Sequence, residues 1–138
     1  MKRSASLILV ELLIMLTVFA LAAAICLRVF VWSDENSRQS AAADHALLRA
    51  QNVAETIKHY RGDFSLAAGD YGGQWDGASW KVSYDDGWNI RADGGAYVLQ
   101  VVPVSCDTDY LGQARLTVTD QFGAVLSEFS VCWQEVEP

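Results

Sequence analysis

A single carboxylate lies within the long apolar segment near the start of this chain. Glu11 falls inside residues 6–27, SLILVELLIMLTVFALAAAICL, where nearly every other side chain is apolar. A charged side chain in hydrocarbon costs about 2.5–3.5 kcal/mol even on the more lenient insertion scales, so such a residue marks a functional position by default. The chemistry open to it is ion pairing, because a cation offsets the cost of removing a carboxylate from water.

The other reactive side chains do not form a catalytic group. His45 and His59 are the only histidines, and on one helix they would lie about 21 Å apart, too far to share a metal ion. The sequence has no G-x-S-x-G, phosphate-loop, H-E-x-x-H or C-x-x-C motif, which are the common signatures of nucleophilic, nucleotide and metal chemistry. We therefore expect neither an enzyme nor a bound metal or other cofactor.

Aspartates are frequent in the stretches predicted to be loops. Hard cations such as calcium prefer carboxylate oxygens, but an EF-hand spacing is missing, and turn formation explains these residues more simply. They are Asp63, Asp70, Asp76, Asp85, Asp86 and Asp93.

The three cysteines are widely spaced. Cys26 lies in the apolar segment, whereas Cys106 and Cys132 lie in the distal part of the chain. If that part is exported, a Cys106–Cys132 disulfide is expected, and closing its loop would contribute about 3–4 kcal/mol in the chain-entropy model. The alternative is two buried thiols in neighbouring strands.

The charge distribution bears on partners and on topology. The formal net charge of the 138 residues is -7, which disfavours a general attraction to nucleic acid. Lys2 and Arg3 directly precede the apolar segment, and basic residues on that side keep the N-terminus cytoplasmic and send the remainder outward. We expect a single-pass protein of the cytoplasmic membrane, in contact with membrane lipid.

Helical spacing extends well beyond the apolar segment. Residues 7–32 contain only two charged side chains, Glu11 and Arg28, and a helix of that length crosses a hydrocarbon core of about 30 Å. Residues 33–61 continue with an apolar stripe at helical spacing, predicted as Ala43, Leu47, Ala50, Val53 or Ala54, Ile57 and Tyr60. The absence of proline predicts one helix of about 80 Å. Gly62 would end it, and residues 62–78 would form a Gly/Asp-rich connecting loop.

The remaining residues, 79–138, change to a period of two. Four runs rich in β-branched and aromatic residues predict strands at residues 79–84, 96–104, 114–120 and 124–133. Residues 88–92 could pair with the first of them, and Pro103 suggests that the second ends or lies at an edge there. Short links favour an antiparallel sheet. The predicted fold class is α+β, with a long N-terminal helix packed on a small antiparallel β head.

The N-terminal pattern resembles the type IV pilin family, which includes major and minor pilins, type II secretion pseudopilins and competence pilins. The resembling residues are the basic leader MKRSAS, residues 1–6, and the segment LILVELLIMLTVFALAAAI, in which Glu11 is fifth if cleavage follows Ser6. Ser6 stands where the family prefers Gly, and Leu7 stands where Phe or Met is common. These departures suggest a minor or divergent member.

The resemblance implies a processing route and an assembly partner. A prepilin peptidase would cut between Ser6 and Leu7 and methylate the new amino group of Leu7. Glu11 would then neutralise the Leu7 ammonium of a neighbouring pilin or pseudopilin subunit. An assembly platform protein and an ATPase would act indirectly, drawing the subunit into a type IV pilus or a type II secretion-like filament at the bacterial cell surface or in the periplasm.

Three other interpretations stay open. Glu11 could be a tolerated charge near the inner face of an ordinary membrane anchor. The segment could instead be a signal peptide cut near Ala20, Ala22 and Ala24. A membrane-tethered β domain that never polymerises could bind a ligand through Trp75, Trp80 or Trp88, although we expect these tryptophans to pack in the core.

Overall fold

The computed structural model describes residues 2–135, which form two helices and six strands. The helices are α1 (Lys2–His59) and α2 (Phe64–Tyr71), and the strands are β1 (Gln74–Trp75), β2 (Trp80–Tyr84), β3 (Ile90–Arg91), β4 (Tyr97–Val104), β5 (Leu111–Asp120) and β6 (Val125–Gln134). These residues divide into two compact units, the first ending at Ser40 and the second beginning at Ala41. The helix α1 contributes residues to both.

The first unit is helical, and its side chains from Arg3 to Ser40 are exposed. Its apolar part is long enough and apolar enough to cross a membrane, and none of that part is buried within the protein. This agrees with the predicted single-pass span in length and composition.

The second unit is an antiparallel sheet covered by helix. The strand order is β1-β2-β4-β5-β6, and the short β3 pairs with β2. The pairing of β2 with β3, Ser83 with Arg91 and Tyr84 with Ile90, confirms the predicted hairpin across the turn that follows β2. Pro103 lies where β4 pairs only with β5, since β2 pairs with β4 no further than Val101. Pro103 thus lies at a position with one neighbouring strand, which is where a sheet accommodates proline.

The core lies between the sheet and the part of α1 that follows Ala41. Five α1 side chains are buried against the inward-facing residues of β2, β4, β5 and β6: Ala46, Ala50, Val53, Ala54 and Ile57. The predicted fold class, a long N-terminal helix on a small antiparallel sheet, is confirmed.

The apolar stripe of α1 differs from the prediction at one turn. Leu47, predicted to face the sheet, is 43% exposed, and Ala46 is fully buried in its place. A spacing of four, three and four residues from Ala46 through Ala50 and Val53 to Ile57 keeps one helix face against the sheet. The small alanine side chains let the helix approach the strands closely.

The predicted connecting loop, residues 62–78, is partly regular. It contains α2 and β1, so the interpretation of the whole segment as a loop is wrong. The carboxylate of Asp63 accepts a hydrogen bond from the backbone N–H of Leu66 at 3.1 Å and so caps α2. Burial of Phe64, Ala67 and Ala68 then holds this short helix against the core.

Gly62 lies at the end of α1, as predicted. Its φ is +82°, a conformation that favours glycine, and its N–H donates to the Ile57 carbonyl at 3.0 Å. Arg61 before it also has a positive φ of 52°. These two residues turn the chain from α1 into α2.

Candidate functional site

The predicted processing and assembly residues all lie on α1 in the first unit. Ser6, Leu7 and Glu11 are helical and exposed, and Leu7 is 70% exposed. Leu7 and Glu11 are four residues apart, so they share one face of the helix, one turn apart. Side chains on a helix lean toward its N-terminus. The Glu11 carboxylate is therefore directed toward the level of the Leu7 backbone nitrogen.

The Glu11 carboxylate makes no hydrogen bond or ion pair within residues 2–135. If the chain began at Leu7, a new ammonium group and the positive end of the helix dipole would lie one turn before Glu11. A carboxylate at that position could neutralise a cation in an apolar environment, and it has no other role in holding this helix together.

The apolar side chains around Glu11 are also without partners. The large apolar residues from Leu7 to Trp32 are 49–76% exposed. A surface of this kind requires lipid or the apolar faces of other helices, because water contact costs about 25 cal/mol for each Å² of apolar area. The first unit therefore carries a surface that only a membrane or an assembly can bury.

The tryptophans of the head domain, residues 41–135, are mainly structural. Trp80 is fully buried, Trp88 is nearly so, and Trp75 is half-buried against the core. Trp88 stacks on Tyr97 with 4.0 Å between ring centroids, and Trp75 stacks on Phe64. The expectation that they pack in the core is confirmed, which leaves little exposed aromatic surface on this hairpin for a ligand.

The histidines lie in different surroundings. His45 stacks on Trp88 at 5.9 Å between ring centroids, and His59 packs edge-on against Tyr60 at 4.9 Å. His45 therefore joins α1 to a distant aromatic residue, whereas His59 contacts only the residue that follows it in the chain.

Three aspartates shape turns of the head, as the sequence favours. Asp76 accepts from the backbone N–H groups of Ser79 and Ala78 at 2.7 and 2.8 Å, and the Ser79 bond is the main reason that the pKa of Asp76 is lowered. Asp85 accepts from Asn89, which chiefly lowers the pKa of Asp85. Asp120 accepts from Phe122 and Ala124. Within residues 2–135 no three metal-binding side chains cluster.

The predicted disulfide is not formed, since Cys26, Cys106 and Cys132 are all free and exposed. Cys132 pairs with Gln113 of β5, and Gln113 pairs on its other side with Val104 of β4. Cys132 is thus two strands from the end of β4, or about 10 Å, whereas bridged Cα atoms lie within about 7 Å. Cys106 follows β4 by two residues. The alternative of two buried thiols is also wrong.

A cleft of about 380 Å³ opens where β4, β5 and β6 approach the start of α2. Trp133, only 8% exposed, lies at its wall, and its indole N–H has no partner among residues 2–135. Gly62 and Gly112 contact the indole so closely that a Cβ on either would overlap the ring. Cys106 lines the same cleft, and a hydrogen bond with the Thr108 hydroxyl is the main cause of its lowered thiol pKa.

The sequence interpretation missed this cleft, because its lining comes from four separate segments. One sequence signal for the cleft was present, the glycine at position 112, which lies within β5. The pairing of β5 with β6 sets Gly112 directly opposite Trp133. A glycine inside a strand often marks the close approach of another group.

Comparisons of this chain with protein-family models, with curated proteins and with solved structures gave no match.

Proposed function

We propose that this chain is a pilin-like structural subunit, a minor pilin or pseudopilin. A prepilin peptidase would cut it between Ser6 and Leu7, methylate Leu7 and release it for assembly. The helix α1 would join other subunits in a type IV pilus or a type II secretion-like filament, and the β head would lie on the outside. Before assembly the subunit would wait in the bacterial cytoplasmic membrane with its N-terminus inside.

One observation carries the proposal. Residues 7–32 of α1 expose an apolar surface whose one carboxylate, Glu11, has no partner among the described residues and lies one turn after Leu7. A plain anchor needs the apolar surface but has no use for Glu11. A filament of parallel helices uses both, since it replaces lipid with neighbouring helices and supplies the Leu7 ammonium as the cation.

The first test is the N-terminal sequence and intact mass of the full chain, extracted from the membrane of a strain that has a prepilin peptidase. The proposal expects a chain that begins at N-methyl Leu7. An intact Met1 would instead support the plain anchor, and a start near Ile25 would support a secreted domain released from a signal peptide.

The second test separates anchoring from assembly. Glu11→Ala is expected to leave membrane insertion intact and to prevent co-purification with filament subunits. Thr17→Ala is the matched control, because it removes a polar group from the same span that bonds only to the Leu13 carbonyl of its own helix. Normal incorporation of Glu11→Ala would remove Glu11 from the mechanism.

A second candidate function is a membrane-tethered binding module, favoured by the unpaired indole N–H at the wall of the Trp133 cleft. The cleft also carries Gln113, Asp109 and Glu135, so a small hydroxylated molecule could both accept and donate hydrogen bonds there. Thermal shifts of the detergent-extracted chain with a panel of sugars would test this. A shift that Gln113→Ala abolishes supports the module, and flat curves for the whole panel argue against it.

A further inference from the structure

The C-terminal end of the apolar span carries a shallow, open groove between exposed side chains of one helix face, about 470 Å³ in volume, that the filament proposal does not use. Its lining is Leu27, Arg28, Val31, Trp32 and Glu35. These residues recur at three- and four-residue intervals, so they occupy one face of α1 over two turns. The groove lies wholly within the first unit of the chain.

The groove contains two charges of opposite sign that do not satisfy each other. Neither Arg28 nor Glu35 makes an ion pair or a hydrogen bond with any residue from 2 to 135. Seven residues separate them, or about 10 Å of helical rise. By contrast, the adjacent pair Asp34 and Arg38 is bonded at 3.2 Å. Arg28 and Glu35 are thus both available to one ligand that carries an anion and a cation.

The order of the groove residues follows the depth of a membrane leaflet. If residues 7–32 are centred in a hydrocarbon core of about 30 Å, Arg28 lies roughly 2 Å inside its edge and Glu35 roughly 8 Å outside it. The arginine side chain reaches the phosphate level by extending outward. Trp32 lies between them, at the depth that interfacial tryptophans prefer.

We propose that this groove binds one phospholipid with an ammonium headgroup, from the leaflet at the C-terminal end of the span. Arg28 binds the lipid phosphate, Glu35 binds the ammonium, and the Trp32 ring faces the ammonium as a cation–π partner. Leu27 and Val31 contact the first part of an acyl chain. The proposal rests on the membrane insertion included in the proposed function, and it does not require filament assembly.

The two charges determine which headgroup the groove prefers. Phosphatidylethanolamine offers a phosphate for Arg28 and an ammonium that donates hydrogen bonds to Glu35. Phosphatidylcholine keeps the phosphate, but its quaternary ammonium has no N–H to donate. Phosphatidylglycerol has no cation, and its negative charge is repelled by the Glu35 carboxylate. The expected order of retention is phosphatidylethanolamine, then phosphatidylcholine, then phosphatidylglycerol.

The test is native mass spectrometry of the full chain released from micelles that contain equal amounts of the three lipids. Phosphatidylethanolamine is expected to be retained about two- to fivefold over phosphatidylcholine, an effect of the size of one additional hydrogen bond, since both lipids carry the cation and only the first has an N–H to donate. Glu35→Gln should abolish that preference, since it removes the ammonium partner beyond the hydrocarbon core and leaves the span unchanged. Arg28→Gln should reduce the retention of all three lipids.

The matched control is Asp34→Asn, which removes a carboxylate one residue away that does not line the groove. It should keep the wild-type preference. Equal retention of the lipids, a preference for phosphatidylglycerol, or a Glu35→Gln variant that retains the wild-type preference would each overturn the proposal. An unprocessed Met1 in the mass experiment would count against the filament function alone, because lipid retention is measured without assembly.

Discussion

The two units of this chain differ in whether large apolar side chains are buried and in whether carboxylates have hydrogen-bond partners. In the first, the large apolar residues from Leu7 to Trp32 are exposed, and the carboxylate of Glu11 has no partner among the described residues. In the head, Leu99, Val101 and Leu116 are fully buried. Several carboxylates of the head accept backbone hydrogen bonds at turns.

This difference shows where each unit obtains its stability. The head has its own core, so burial and turn hydrogen bonds hold it together without a partner. Residues 3–40 of the first unit are all exposed, so the surroundings of this unit must supply the apolar contacts that the core supplies in the head. If the chain is a filament subunit, as we propose, the surroundings of the first unit would change from lipid to neighbouring helices while the head stays folded.

The most direct test of this difference between the units is to make the same substitution in both. Leu116→Ala in β5 removes a side chain with 0% exposure, and we expect the head to lose about 2–5 kcal/mol of unfolding free energy. Leu16→Ala removes a side chain with 64% exposure, and the unfolding free energy of the head should change by less than about 0.5 kcal/mol. Urea unfolding of the detergent-solubilised chain, followed by near-ultraviolet circular dichroism, measures both. A large effect of Leu16→Ala would mean that the head depends on the span.

A second matched pair tests the tight packing around Trp133. Gly112→Ala sets a Cβ into the indole ring, so we expect a loss of about 1–3 kcal/mol from overpacking. Gly69→Ala lies in α2 with no heavy atom near the added Cβ, and alanine favours a helix by about 0.5–1 kcal/mol, so it should stabilise the head. The same urea experiment reads both variants. If Gly112→Ala is neutral, the indole can move aside, and the cleft is not rigid.

Much of the head could be predicted because its signals are local. Gly62 ends α1, Pro103 falls where β4 has one neighbour, and alternating patterns gave the longer strands. The capped helix α2 was missed although Asp63 and the apolar residues Phe64, Ala67 and Ala68 carried its signal. Two aspartates and four glycines in the surrounding residues favoured a loop more strongly than one turn of helical spacing favoured a helix.

The features that could not be predicted depend on how distant segments meet. Choosing Ala46 over Leu47 for the buried face depends on the closeness of the sheet, which periodicity alone does not give. The spacing of Cys106 and Cys132 was compatible with a disulfide until the strand order set Cys132 two strands from β4. The role of Glu11 stays a prediction, because its partner would belong to another chain.

The turn carboxylates predict how the stability of the head responds to acid. The folded-state pKa values of Asp76 and Asp85 are lowered, chiefly by backbone hydrogen bonds from Ser79 and Asn89 respectively. A lowered pKa means that this stabilisation is complete above the unfolded value of about 3.9 and is lost as the pH falls through the folded value. The urea midpoint of the head should therefore decline below about pH 4.

In the Asp76→Asn and Asp85→Asn variants, the urea midpoint of the head should fall less steeply with decreasing pH than in the wild type. Asp93→Asn is the control, because Asp93 accepts no hydrogen bond within residues 2–135, and it should keep the wild-type slope. Matching slopes in all three variants would show that other groups cause the acid sensitivity of the head.

The smallest expected effect is the coupling free energy of two exposed ion pairs on α1. It tests whether the two units unfold together, since α1 contributes to both. Lys58 bonds Glu55 at 3.1 Å in the head, and Arg38 bonds Asp34 at 3.2 Å in the first unit. Both pairs are exposed, so a double-mutant cycle on Glu55 and Lys58 should give a coupling of about 0.3–0.5 kcal/mol that weakens in high salt. The same cycle on Asp34 and Arg38 should give no coupling in head unfolding, because that turn does not belong to the head core. Equal couplings would mean that the helix before Ser40 unfolds together with the head. The boundary between the self-sufficient unit and the dependent one would then lie nearer the N-terminus.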